Sequence, residues 1–211
     1  MVPLFGGCQK VNSSTRNLSL AFCVTQFGAL LGRSEISGKN GDSLGVEPGM
    51  SAAMQVLAQI QKNLGSIYII GNGGSAGVAS HAVIDFINVA KLRAFPLHEP
   101  ALLTCMANDY GYDKAFARIL AQMAKPCDAL IAISSSGNSM NIRNAAEQMA
   151  LSGGKVITLS GFARNNPLRS LGDINIWLDS SDYGFVEIGH QFILHNMSDR
   201  FGAGREWVAK S

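Results

Sequence analysis

Short apolar runs alternate with segments of helical period along the chain from Met50 onward. Runs such as "IYII" and "ALIAI" lack charged and small polar residues, which is typical of strands buried on both faces of a parallel sheet. Parallel strands need long crossovers, and the segments between the runs have the length and spacing of helices. The chain is therefore predicted to form an α/β fold with helices flanking a parallel sheet. The five predicted strands are Ile67–Ile70, Ala101–Cys105, Ala129–Ile133, Lys155–Ser160 and Ile174–Leu178.

Helical segments fill the intervals between these strands. In a doubly covered parallel sheet, ligands bind outside the carboxyl ends of the strands. The loops that leave those ends are therefore the first places to look for function. The predicted helices are Met50–Asn63, Ser75–Ala90, Lys114–Met123, Asn141–Leu151 and Gly184–Arg200, with a short one near Leu168.

The N-terminal segment, 1–47, differs from the domain predicted at 48–211. Between Asn17 and Leu31 apolar residues recur at helical spacing, and this predicts an amphipathic helix. The stretch from Gly32 to Gly49 is rich in glycine and serine and is predicted to be a loop or linker. Such a helix either caps its own core or packs against another subunit as an oligomerisation helix. The sequence leaves both possibilities open.

Composition excludes several classes of function. The 211 residues suffice for one sizeable core, and a net charge of +2 gives no electrostatic case for nucleic acid or an anionic membrane. No apolar run approaches the ~20 residues that span a bilayer, and the N-terminus lacks the order of a signal peptide. The four cysteines have no CxxC spacing. We expect reduced thiols in a cytoplasmic protein.

The glycine loop "GNGGSA" follows the first predicted strand. It fits the dinucleotide fingerprint, which also requires an acid at the end of the next strand. Met106 follows the predicted strand "ALLTC", so that interpretation is disfavoured. Small residues at a helix N-terminus still allow backbone N–H groups to approach an anion or a sugar hydroxyl. The alternative is a tight turn that binds no ligand.

The serine loop "ISSSGNS", residues 133–139, also joins a predicted strand to a helix. Its four hydroxyls and free N–H groups at a helix N-terminus provide what a phosphate needs, without lysine or arginine. An ordinary serine N-cap would need one serine rather than four. The loop therefore favours a phosphate site.

Two helices carry histidine and carboxylate residues on one face. His81 and Asp85 lie four residues apart, and Glu187 and His195 lie eight apart on the last helix. Two imidazoles and two carboxylates suit a divalent metal such as zinc. His190 competes with His195 because it also lies one turn from Glu187. From spacing alone, surface or capping pairs remain an alternative.

Four motifs in this order resemble the phosphoheptose isomerases, which are SIS (sugar isomerase) domain proteins. They are "GNGGSA" followed by His81, "ANDYGY", "AISSSGNS" and "DYGFVEIGHQFILH", within about Met50 to Phe201. The resemblance implies a three-layer sandwich and a homotetramer with N-terminal helices in its core. It also implies conversion of D-sedoheptulose 7-phosphate to D-glycero-D-manno-heptose 7-phosphate through a cis-enediol, for bacterial surface polysaccharide.

The resemblance also implies roles for individual residues. Asp85 is the candidate base and His195 the candidate acid of this aldose–ketose isomerase. The implied ligands of one zinc per subunit are His81, Asp85, Glu187 and His195. The implied substrate-binding residues are Asn72, Gly73, Gly74, Ser75, Asn108, Asp109, Ser134, Ser135, Ser136, Ser139 and Glu187.

The chain departs from the family pattern in places. The best-studied members carry Glu at the Asp85 position and Gln at the Glu187 position. The stretch "FARNNPLRS" replaces paired glycines and a lysine, and the first 50 residues match poorly. A non-catalytic SIS protein that senses phosphosugars or binds a replication initiator is the alternative, as is an isomerase of another phosphosugar. The four candidate metal ligands favour the enzyme, because a binding module does not need them.

Overall fold

The computed structural model describes residues 17–209, with side chains as far as residue 203. Cys8 therefore lies outside the described residues. The helices are α1 Leu20–Gly32, α2 Val46–Lys62, α3 Gly74–Asn88, α4 Pro100–Tyr110, α5 Ala115–Met123, α6 Met140–Leu151 and α7 Tyr183–Ala209. The strands are β1 Glu35–Gly38, β2 Ile67–Ile70, β3 Ala94–Pro96, β4 Ala129–Ser134, β5 Lys155–Ser160 and β6 Ile174–Trp177. Short 3₁₀ helices occupy Tyr112–Lys114 and Pro167–Ser170.

One sheet forms the centre of the described chain, in the order β1-β6-β5-β4-β2-β3. The strands β6, β5, β4, β2 and β3 run parallel, and β1 is antiparallel to β6 at one edge. The predicted α/β class is confirmed, and four of the five predicted strands are present as β2, β4, β5 and β6. The edge strands β1 and β3 were not predicted.

The apolar character of the central strands explains their position. Every residue of β2, β4 and β6 is buried. Alternate residues point to opposite faces, so Ile69 belongs to one apolar cluster and Ile70 to the other. Helices therefore cover both faces, as in other parallel sheets.

The strand prediction for Ala101–Cys105 is wrong. These residues lie in α4. Glu99 caps the N-terminus of this helix, because its carboxylate accepts a hydrogen bond from the Leu102 N–H at 2.8 Å. Pro100 lies in the first turn, where proline favours a helix start. The strand next to β2 is the three-residue β3. A run of three residues ending in proline is too short to show a strand period, so the longer apolar run was chosen instead.

Part of the segment predicted as a loop is also a strand. β1, "EISG", contains one large apolar residue, Ile36, and it forms by pairing with the exposed edge of β6. Ile36 is buried against α2, which starts four residues earlier than predicted. Tertiary pairing thus overrides the weak local preference of a Gly- and Ser-rich stretch. The sheet of the 48–211 domain includes a strand from the N-terminal segment.

The predicted N-terminal helix is present as α1. Its Phe27 ring packs against Phe185 and Phe192 of α7, with centroids 6.2 and 6.3 Å apart. Nearer the start of α1, Leu20 and Val24 lie on the same face of the helix as Phe27 but are exposed. In the described part of the chain, none of the helices combines the length and apolar character needed to cross a membrane.

Candidate active site

The glycine loop connects β2 to α3 in a turn that requires glycine. Gly73 has a φ of +54°, which is in the left-handed region that residues with a Cβ rarely adopt. A Cβ on Gly74 would collide with the carboxylate of Glu187. Glu187, from α7, therefore lies directly over the first turn of α3.

The serine loop connects β4 to α6 with the same kind of turn at Gly137, whose φ is +65°. Ser134 donates its hydroxyl to the Ser139 hydroxyl at 3.3 Å. The Ser135 hydroxyl is buried and has no hydrogen-bond partner among the described residues. A buried hydroxyl without a partner is costly, and a bound oxyanion would satisfy it.

The two loops line one cleft of about 270 Å³. Its lining includes Asn72–Ser75, Ser134–Ser136, Ser139, Tyr183 and Glu187. The N-termini of α3 and α6 flank this cleft, so their positive helix ends favour an anion there. The carboxylate of Glu187 already lies at the end of α3. The N-terminus of α6, within the serine loop, is therefore the one left for a phosphate.

A hydrogen-bond network joins the two loops. Asn72 and Asn141 exchange two amide hydrogen bonds of 2.9 Å, and Tyr112 donates its hydroxyl to Asn72 Oδ1 at 2.8 Å. Asn141 is buried at the start of α6. This network fixes the orientation of the Asn72 amide, which still has one N–H free of these bonds.

His81, Asp85 and His195 form a second group, which we call the His–Asp cluster. One ligand atom from each lies within 4.8 Å of the others. His81 Nε2 is 3.1 Å from His195 Nε2 and 3.5 Å from Asp85 Oδ2, and His195 Nδ1 is 3.1 Å from that oxygen. The cluster lies seven residues, or about 10 Å, along α3 from the glycine loop.

The cluster fits a divalent cation. Asp85 Oδ2 is buried, yet no group in the described structure donates a hydrogen bond to it, although two imidazoles lie close by. Ligand atoms about 2.0 Å from a tetrahedral ion lie about 3.3 Å apart, and His81 Nε2 lies at about this spacing from both His195 Nε2 and Asp85 Oδ2, at 3.1 and 3.5 Å. Imidazole nitrogen and carboxylate oxygen are also the donors that zinc accepts.

Glu187 stands apart from the cluster in the described structure. Its carboxylate lies over Gly74 and lines the cleft, so its position accords with a contact to substrate. The structure thus brings together three of the four candidate metal ligands. To join the other three candidate ligands, the Glu187 carboxylate would have to leave its position over Gly74 and approach the cluster.

Two other candidate residues do not reach the cleft within one chain. Asn108 and Asp109 are exposed on α4, where Asn108 Nδ2 donates to Asp109 Oδ1 at 2.9 Å. Cys105, expected near a buried strand, is likewise exposed on α4. Tyr112, two residues beyond the helix, does reach the glycine loop.

His190 is excluded as a ligand by its position. It is fully buried, and its Nε2 lies 3.2 Å from the Ser160 carbonyl oxygen. Burial lowers the pKa of His190 to about 4, although the bond to Ser160 raises it somewhat. His190 is therefore a neutral core residue, and of the two competing histidines only His195 lies in the cluster.

The acid that a dinucleotide site requires would follow β3, and not the run "ALLTC", which is helical. The strand after β2 is β3, and Glu99 follows it closely. Glu99 caps α4, with its carboxylate bound to the Leu102 N–H. The interpretation is instead disfavoured by Glu187, because its carboxylate occupies the helix N-terminus where a pyrophosphate would bind.

Several residues of the site are not among the site residues predicted from the sequence. Tyr112, Asn141 and Tyr183 line or brace the cleft. Asn141 lies two residues beyond the last serine of the loop, and this proximity was the available signal. Tyr112 is the last residue of the motif "ANDYGY", but only the folded chain shows that it contacts Asn72.

The fold and the cleft define a class: a doubly covered parallel α/β protein with an anion-binding cleft at the carboxyl ends of its strands. Comparison with known proteins narrows this class. The family model described as "SIS domain" matches residues 46–161. The phosphoheptose isomerase of Citrifermentans bemidjiense is 32% identical over 160 residues, 73% of this chain and 83% of the relative. That of Leptospira biflexa is 36% identical over 156 residues, 70% of this chain and 80% of the relative.

A solved structure agrees with these relatives. The phosphoheptose isomerase of Neisseria gonorrhoeae matches with a TM-score of 0.69 at 27% identity, over 74% of this chain and 86% of that one. The chain belongs to the phosphoheptose isomerase family of SIS domain proteins. The resemblance inferred from the four motifs is confirmed.

Proposed function

We propose that this protein is an aldose–ketose isomerase that converts D-sedoheptulose 7-phosphate to D-glycero-D-manno-heptose 7-phosphate. The observation that carries the proposal is that α3 and α7 contribute to both parts of the site: Gly74 and Glu187 line the anion-binding cleft, and the His–Asp cluster lies farther along the same two helices. The family of the chain supports the same activity.

The serine loop binds the phosphate in this proposal. The buried Ser135 hydroxyl and the N-terminus of α6 supply hydrogen bonds and a positive helix end. The glycine loop and Glu187 lie across the cleft, where the hydroxyls of the sugar would meet them.

The His–Asp cluster holds a divalent metal, which we propose to be one zinc ion per subunit. His81, Asp85 and His195 are the ligands that the geometry supports, and Glu187 is the proposed fourth. When bound, such an ion stabilises negative charge on the sugar oxygens while the carbonyl moves. It would also give the buried Asp85 oxygen the cationic partner that its surroundings call for.

Two groups of the cluster are placed to move protons. Isomerisation removes a proton from C1 of the ketose and returns one to C2, while the proton on O1 is lost and O2 gains one. We propose Asp85 as the base at carbon and His195 as the acid at oxygen. His195 Nδ1 lies 3.1 Å from Asp85 Oδ2, so the proposed base and the proposed acid are neighbours.

We further propose a cytoplasmic homotetramer whose product feeds heptose synthesis for bacterial surface polysaccharide. The exposed apolar residues of α1 and of α7, such as Leu20, Val24 and Phe192, support contacts with other subunits. The described cysteines, Cys23, Cys105 and Cys127, are free thiols, which accords with a reducing compartment.

Metal analysis combined with a turnover assay tests the proposal. Purified protein is expected to carry about one zinc per subunit and to form the aldose product from sedoheptulose 7-phosphate, followed by NMR. Chelation should abolish turnover, and added zinc should restore it. A zinc-loaded protein that binds the sugar phosphate without converting it would instead be a non-catalytic SIS protein. One that converts only another phosphosugar would have a different substrate.

A further inference from the structure

The segment "FARNNPLRS" lies directly behind the serine loop and has no role in the proposed chemistry. Its central residue, Asn166, is buried with 4% of its surface exposed. Asn166 Nδ2 donates to the Ser160 hydroxyl, the Gly161 carbonyl and the Ala163 carbonyl at 3.2, 3.1 and 2.9 Å. Three acceptors around one NH₂ group leave the amide a single orientation.

The other side of the Asn166 amide faces the serine loop. A Cβ added to Gly137 would collide with Asn166 Oδ1, so the amide packs against the Gly137 backbone at its left-handed turn. Leu168 N–H donates to the Gly137 carbonyl at 3.2 Å, and Gly161 N–H donates to the Ser135 carbonyl at 2.9 Å. The end of β5 and the segment with the 3₁₀ helix Pro167–Ser170 thus contact the serine loop at three points. These are the Ser135 carbonyl, the Gly137 carbonyl and the Gly137 Cα.

The segment is itself anchored at a distance from the cleft. Asn166 Oδ1 accepts a hydrogen bond from the Arg169 N–H at 3.2 Å and caps the 3₁₀ helix. The Arg169 guanidinium pairs with Glu35 of β1 at 2.6 Å and stacks over the Trp177 ring at 4.8 Å. Asn166 therefore lies between the serine loop on one side and a segment that Arg169 anchors to Glu35 and Trp177 on the other.

We infer that Asn166 is a positioning residue for phosphate binding: it sets the turn at Gly137 and thereby aims the serine loop at the anion. The inference rests on the proposed phosphate role of that loop. A phosphate bound by a backbone turn needs its N–H groups aimed at one point, and Gly137, whose φ is +65°, has no side chain to hold its own backbone in place. Asn166 provides that support from outside the loop.

Two variants separate loop positioning from a general effect on folding. Asn166→Ala removes the amide completely. Asn166→Ser removes the Nδ2 donors and the contact with Gly137 but keeps an oxygen that can cap the 3₁₀ helix, so the segment should still fold. Asn165→Ala is the matched control, because Asn165 is the same residue type one position earlier and is exposed.

The test measures the dissociation constant of inorganic phosphate by calorimetry, and KM and kcat for sedoheptulose 7-phosphate, in zinc-loaded protein. Both Asn166 variants are expected to weaken phosphate binding about tenfold, the effect of losing one hydrogen bond to a charged group. KM should rise by a similar factor with kcat nearly unchanged, because the phosphate does not react. Zinc content should remain that of the wild type, and Asn165→Ala should behave as the wild type throughout.

The outcomes separate this inference from the proposed function. A folded Asn166→Ser variant with phosphate affinity and KM within twofold of the wild type would overturn the inference. Wild-type protein that binds phosphate but does not turn over the sugar would overturn the isomerase activity alone. Wild-type protein that binds no phosphate would overturn the role of the serine loop and the inference with it.

Discussion

The two halves of the candidate site are built in different ways. The serine loop is formed by backbone and hydroxyl groups, and a buried amide, Asn166, supports it from behind. The His–Asp cluster is formed by side chains from two helices, with the His81 and His195 side chains 51% and 45% exposed. The part that would hold the phosphate is thus prepared by the fold, whereas the part that would do the chemistry depends on a metal and on exposed imidazoles. The predictions below test this difference.

His195→Ala is expected to give the largest effect. It removes a metal ligand and the candidate acid, so kcat should fall by about 10²–10⁴ and zinc content should drop. The melting temperature of the metal-free protein should change little, because nearly half of this side chain is exposed. Steady-state kinetics, metal analysis and calorimetry give the three values.

Asn196→Ala serves as the control for His195→Ala, because Asn196 is adjacent on α7 and lines a different groove. If His195→Ala kept both zinc and turnover, the cluster would have no catalytic role.

Ser135→Ala is expected to weaken substrate binding without lowering the stability of the fold. The buried Ser135 hydroxyl lacks a hydrogen-bond partner in the ligand-free fold, so its removal should leave the melting temperature unchanged or raise it. The same change should raise KM about tenfold, because a hydroxyl that would bind the phosphate is lost.

Ser152→Ala, at the opposite end of α6, is the control for Ser135→Ala, since the Ser152 hydroxyl donates to the Gln148 carbonyl there. A Ser135→Ala protein that is clearly less stable and binds substrate normally would contradict the prepared phosphate site.

The Asn72–Asn141 pair connects the two loops and should behave as a unit. Each single change to alanine is expected to lower kcat/KM about fivefold, and the double change should be little worse than either one, with a coupling of about 1 kcal/mol. Kinetics of the four proteins give the cycle. Asn144→Ala, also on α6 but bonded to the Asp113 carbonyl, is the control. Fully additive effects would mean that the two loops act independently.

Glu35→Gln is expected to give the smallest effect, on stability alone. Burial raises the pKa of Glu35, but hydrogen bonds from Arg169 and Arg164 lower it by more, so it lies below its usual value of 4.5. A carboxylate with a lowered pKa contributes stability above the usual value, and that contribution is lost as the pH falls through the folded-state pKa. Glu35→Gln should therefore melt at a lower temperature at pH 7, with the difference from the wild type shrinking in acid.

Lys155→Gln is a control for Glu35→Gln, since Lys155 pairs with Asp173 on the surface. A Glu35→Gln difference that stays constant from pH 7 down to pH 3 would show that the charge of Glu35 does not support the segment behind the serine loop.

The sequence predicts the strands that are almost completely buried. It does not predict the strands that form only by pairing with a neighbouring strand. β2 and β5 have the predicted bounds because their residues are mostly apolar or β-branched and all but Lys155 are buried. β1 and β3 lie at the two edges of the sheet, carry few large apolar residues and form by hydrogen bonding to a neighbour. No local pattern distinguishes such edge strands from loops.

The motifs of the candidate site could be predicted from the sequence, but the contacts that position those motifs could not. The serine loop and the His81–Asp85 pair are local patterns, so sequence spacing found them. Glu187 and His195 share a face of α7 but lie eight residues, or about 12 Å, apart along it, so Glu187 reaches Gly74 while His195 reaches the cluster. Asn166 and Tyr112 lie in stretches that the sequence singled out, but their contacts run between separate elements, and only the folded chain reveals those contacts.

The most direct test of the central claim is hydrogen exchange on the substrate. Sedoheptulose 7-phosphate is incubated with zinc-loaded protein in D₂O, and deuterium at C1 and C2 is followed by NMR. The account predicts deuterium at both carbons, with the aldose product formed and both effects lost in His195→Ala. A zinc-loaded wild-type protein that binds the sugar phosphate yet leaves both carbons unlabelled would contradict proton transfer by the His–Asp cluster.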